Sequence, residues 1–150
     1  MACPFFMPVE RLEGGSWPHP ARLPLGGGWS GHCTAAGHEN SVPDQSVLES
    51  LCNLGYAEAC EWVPRERPWD AVRFSVVART VDISRLRPHV PDRSPAIQLF
   101  YVCEKNHQPG DHGLLEFNPR TSNWDRPHPD PRVQRMAECF LDSYLKKRRE

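Results

Sequence analysis

Four of the six cysteines, Cys3, Cys33, Cys52 and Cys60, fall within the first 60 residues, and they are the side chains best suited to chemistry. Four thiolates are the usual complement of a closed zinc site or of an iron–sulfur cluster. The gaps between them are 29, 18 and 7 residues, with no C-x-x-C knuckle, the local chelate that marks many structural zinc sites. A cluster gives each thiolate its own iron, so its ligands can arrive from loops far apart in sequence. The spacing therefore predicts a metal site formed by Cys3, Cys33, Cys52 and Cys60, holding a [4Fe–4S] cluster in preference to Zn. Its role would be electron transfer, redox sensing or structural stabilisation. With all four ligands supplied by protein no iron stays open, so the reading leans against an enzyme.

The surrounding residues fit such a centre. Gly26, Gly27, Gly28 and Gly31 precede Cys33 and could bring backbone amides close to sulfur, which tunes a cluster. Phe5, Phe6, Trp29, Tyr56 and Trp62 lie within four residues of a candidate ligand and could exclude water. The other two cysteines differ. Cys103 keeps phase with Ile97, Leu99 and Tyr101 and reads as a small buried hydrophobe, whereas Cys139 falls off the apolar stripe of its helix and reads as a rim thiol.

Three rival readings remain. A zinc-stapled module could bind a protein or nucleic acid; a thiol enzyme could use Cys33 beside His32 or His38; and the four cysteines could be packed thiols without metal. The signatures of cysteine enzymes are absent, and so are the Walker loop, G-x-G-x-x-G after a strand, G-x-S-x-G and H-E-x-x-H. His32 or His38 could also replace a thiolate as ligand. His107, Asp111 and His112, in KNHQPGDHG, read as ordinary polar turn residues.

The elements that must position the cysteines are uneven in character. Residues 1–65 read as an irregular, cysteine-rich segment, since the first 60 residues hold eight of the ten glycines and show little alternation. One short helix is predicted there at about 44–53, with Ser41 and Asp44 resembling a capping box and Gly55 closing its end. Residues 66–150 carry the periodicity of an α+β unit. AVRFSVVART and AIQLFYVCEK alternate as strands, HGLLEFNP returns as a hairpin partner across NHQPGD, and SNWDRPHPDP reads as a connector. Asp130 and Pro131 then start an amphipathic helix through Val133, Met136, Ala137, Phe140, Leu141 and Tyr144. The expected fold is α+β: a small antiparallel sheet with a packed C-terminal helix, joined to the loop-rich segment within a single domain.

Composition limits the remaining classes. The chain is 39% hydrophobic and 25% charged, as in ordinary globular proteins, and its 16 prolines imply much irregular backbone. No stretch reaches the roughly 20 apolar residues that span a bilayer, and no secretion signal is visible, so a soluble cytoplasmic protein without membrane partners is expected. In that compartment thiols and metal ligands are commoner than disulfides. Residues 1–60 carry two basic and six acidic side chains, a net of −4, against 16 and 13 in the remainder, a net of +3. KKRR at 146–149 suits a helix C-terminus, and neither half has the basic footprint of a nucleic-acid binder. A redox or protein partner fits the chain better than nucleic acid does.

Overall fold

The structure is a computed structural model that describes residues 2–13, 17, 23–56, 60–77 and 96–149. It is an α+β fold with two antiparallel sheets. Strands β1 (Phe6–Leu12) and β2 (Gly28–Cys33) form a ribbon. Strands β3 (Ala71–Val76), β4 (Ile97–Lys105), β5 (Gln108–Asn118) and β6 (Asn123–Arg126) form a meander in that spatial order. The ribbon corrects the expectation of an irregular first half. Its alternation is hidden by proline and glycine, and Gly31 is needed where it stands: a Cβ there would lie 2.1 Å from the Met7 carbonyl oxygen.

The predicted helix near 44–53 forms as one turn of α1 (Gln45–Val47) followed by a π turn (Leu48–Cys52). The capping box does not form, since Asp44 occupies the N-cap without a side-chain hydrogen bond. The widened turn has a visible cause. The Asn53 amide donates to the Leu48 carbonyl oxygen at 3.1 Å, five residues back, while the buried Asn53 side chain bonds Leu48 and both backbone groups of Trp29. Gly55 ends the turn at φ 76°, as expected.

In the second half the strands lie where alternation places them, although Ala78–Thr80 of the first predicted strand are outside the described residues. The hairpin turn is tighter than NHQPGD. Asn106 and His107 alone make it, both at positive φ (52° and 62°), so Gln108 to Asp111 belong to β5. Within the supposed connector, Asn123–Arg126 pair with β5 as β6.

Helix α2 (Pro131–Arg149) starts as predicted, with the Arg132 amide donating to the Asp130 carboxylate at 2.9 Å. It packs in two directions. Ala137 and Leu141 meet Ile97, Leu99 and Leu115 of the meander, whereas Val133, Met136 and Cys139 share a cluster with Ala2, Phe6, Leu25, Trp29 and Val72. Cys139 is therefore core, 1% exposed, and not a rim thiol. Reading α2 as a one-faced helix misplaced it, because a helix wedged between two sheets buries a wider arc. Cys103 is buried as predicted. Among the described residues no helix is long and apolar enough to cross a membrane.

Asn53 joins the π turn to β2, so replacing it strands three backbone partners. Asn53→Ala should lower unfolding free energy by about 2–4 kcal/mol, roughly 1 kcal/mol for each lost buried hydrogen bond. Urea denaturation reads this directly, and a loss below about 0.5 kcal/mol would contradict the assigned role.

Candidate metal centre

Each of the four cysteines sits at the end of a different structural segment. Cys3 precedes β1 and is held by its backbone: its amide donates to the Cys52 carbonyl oxygen at 3.0 Å, and the neighbouring Ala2 exchanges hydrogen bonds of 2.7 and 2.8 Å with Val72. Cys33 is the last residue of β2, opposite Phe6, and its backbone bonds Ser41 and Asn40. Cys52 closes the π turn. Cys60 follows it after seven intervening residues and is half-buried, while the other three are buried.

All four line one cavity. Among the described residues its remaining walls are Phe5, Phe6, Pro43, Val47, Leu51, Trp62 and Val63, none of them charged. The cavity is tight, about 20 Å³. Of the aromatic residues expected to shield the site, Phe5, Phe6 and Trp62 do line it. Trp29 instead lies beneath the Arg11 guanidinium at 4.8 Å, and Tyr56 donates its hydroxyl to Glu104. Pro43 and Val63 had no signal in the sequence beyond their apolarity, whereas helical spacing puts Val47 and Leu51 on the side of the helix that carries Cys52.

One backbone amide bonds a sulfur directly: the Ala35 amide donates to Cys33 Sγ at 3.3 Å, while the Phe6 amide donates to the Cys3 carbonyl oxygen at 3.1 Å. These donors come from the residues that follow each cysteine. The glycines before Cys33 instead make room for neighbours: Gly26 for Ser143, Gly27 for Arg11, Gly28 for Trp17 and Gly31 for Met7.

The electrostatics follow from burial. Desolvation pushes the Cys3 thiol up to about 11 and the Cys52 thiol up to about 12, in each case reinforced by other cysteines of the set and only partly offset by backbone amides. Cys33 also moves up, again chiefly by burial. Without a cation among them, the buried thiols stay protonated at neutral pH. A raised thiol value is also the opposite of what a Cys33 nucleophile needs. His32 is no base for it, since neighbouring strand residues point to opposite faces, and His38 stacks on Trp62 with ring centroids 4.9 Å apart.

Among the described residues, no three His, Cys, Asp or Glu side chains are gathered as a single bound metal ion would require. Four tetrahedral zinc ligands would need sulfurs within about 4 Å of one another, since Zn–S bonds are about 2.3 Å. A zinc site would therefore require the walls to close further. The donors present are four soft thiols from separate segments, with the Ala35 amide on Cys33 Sγ and aromatic walls around them. His107, Asp111 and His112 form no site either. His107 stacks on Tyr56 at 4.2 Å, and Asp111 accepts a hydrogen bond from the Tyr101 hydroxyl. No protein family, curated protein or solved structure matches this chain.

The raised thiol values have a consequence for metal-free protein. Burial also lifts Cys103 and Cys139 up to about 12, so the folded state holds protons that the unfolded chain releases near 9.0. Stability from this source is complete below about pH 9 and is lost as pH rises through the folded values. Chemical denaturation of chelator-treated protein between pH 8 and 11 should show falling stability, and a flat profile would rule out neutral buried thiols.

Proposed function

We propose that this chain is a small iron–sulfur protein whose [4Fe–4S] cluster is held by Cys3, Cys33, Cys52 and Cys60. One observation carries the reading: the four thiols singled out by the sequence line a common cavity, while Cys103 and Cys139 do not line it. When bound, the cluster supplies one-electron chemistry. The chain's own residues provide the donors and the shielding. Phe5, Phe6 and Trp62 limit water, and amides after Cys3 and Cys33 offset thiolate charge. Electron transfer or redox sensing suits this arrangement better than a purely structural staple, because hydrogen bonds already hold Ala2 and Cys3 in place. A structural zinc site, as the support of an interaction module, is the second reading.

Anaerobically purified protein should be brown and contain about four irons and four sulfides per chain. Cys3→Ser or Cys52→Ser should lose iron, and Cys103→Ser should retain it. Colourless protein with one zinc per chain would transfer the site to the second reading. Folded protein without metal, or equal iron loss from Cys103→Ser, would overturn the ligand assignment.

A further inference from the structure

Directly outside the thiol cavity lies a surface groove of about 360 Å³. The two share Pro43, Val47, Leu51, Cys60 and Trp62, so Cys60 is the ligand candidate that faces both the cavity and the surface. The floor of the groove is apolar. At its rim Val42 is 72% exposed, an unusual position for a β-branched hydrocarbon, and two exposed carboxylates, Asp44 and Glu61, line it. Among the described residues no lysine or arginine lines the groove to neutralise them.

We infer that this groove is the docking site for a redox partner protein, which inserts a basic segment carrying a lysine or arginine flanked by apolar residues. The carboxylates select the cation, while Val42, Val47, Leu51 and Trp62 receive the apolar neighbours. This combination gives orientation and speed of encounter more than raw affinity. Seating such a segment covers Cys60 and excludes water from the wall that the groove shares with the thiol cavity. The inference rests on the iron–sulfur reading for what crosses that wall: a single electron, exchanged with a one-electron carrier in the partner, with no bond formed or broken and no proton moved. The basic run at the end of α2 belongs to another part of the molecule and does not line this groove.

Two measurements on anaerobically purified protein test the docking site and the electron path separately. In the first, a dye-labelled Lys-Leu-Lys-Leu-Lys peptide is titrated by fluorescence anisotropy against wild type, Asp44→Asn/Glu61→Gln, and Asp125→Asn as a charge control on β6. At low salt the double variant should bind about tenfold more weakly and Asp125→Asn should match wild type, with binding largely screened at roughly half-molar salt. Equal affinity for wild type and double variant, or an equal loss in Asp125→Asn, would overturn the groove assignment. In the second, dithionite-reduced protein is mixed with hexaammineruthenium(III) or with ferricyanide. The double variant should be oxidised about three- to tenfold more slowly by the cation and no more slowly by the anion. Unchanged cation kinetics would overturn the electron path. Wild-type protein without iron would overturn both the iron–sulfur reading and that path, and the peptide titration would still decide the groove by itself.

Discussion

Ala2 exchanges two backbone hydrogen bonds with Val72 on the edge strand of the meander, and Cys3 donates its amide to Cys52 at the end of the π turn. This short extended segment covers part of a sheet edge that would otherwise present unpaired backbone groups. It also sets Phe6 at the start of the ribbon, opposite Cys33. Segments distant in sequence thus meet at one point through backbone hydrogen bonds. The cysteine cavity is a consequence of that junction.

The same junction explains why the thiols are so strongly desolvated. Strand, turn and loop ends close around them with aromatic and aliphatic side chains, so charge on any one sulfur raises the cost of charge on the next. Amide donors at Cys3 and Cys33 offset only part of this. A group carrying positive charge would reverse the balance for the three buried thiols, Cys3, Cys33 and Cys52. Cys103 and Cys139 are equally reluctant to ionise but stand outside this cavity, with burial as the largest cause in both.

Helix α2 keeps the two sheets in one framework. Arg135 donates to the carbonyl oxygens of Pro8 and Val9, at the bulge where β1 leaves regular pairing, and the Ser143 hydroxyl donates to Leu25. Hydrogen bonds thus reinforce the apolar contacts of Val133, Met136 and Cys139. Near the hairpin turn a second polar set stiffens the meander. Burial alone would raise Asp70, but the Asn106 amide and the Arg67 guanidinium outweigh it and hold the carboxyl below its ordinary range. Glu104 accepts from both Tyr56 and Arg73, which fixes the chain just after the π turn against β3 and β4.

How much of this was legible depended on the range of the interaction. Periodicity located β3, β4, β5 and α2, because alternation and helical spacing are local records of which face is buried. Cysteine type and number singled out Cys3, Cys33, Cys52 and Cys60, since soft donors in a region with little other core demand an explanation. Pairing of β1 with β2 was not legible: the gap between them is rich in glycine and proline, and two-residue alternation disappears where prolines and a bulge interrupt it. Burial of Cys139 depended on α2 meeting a second sheet, and the π turn depended on an asparagine bonding a strand far along the chain. Local propensity is written residue by residue, so sequence could name the donors. Their convergence on one cavity is a long-range property of packing, and it exists only once the segments carrying them have met.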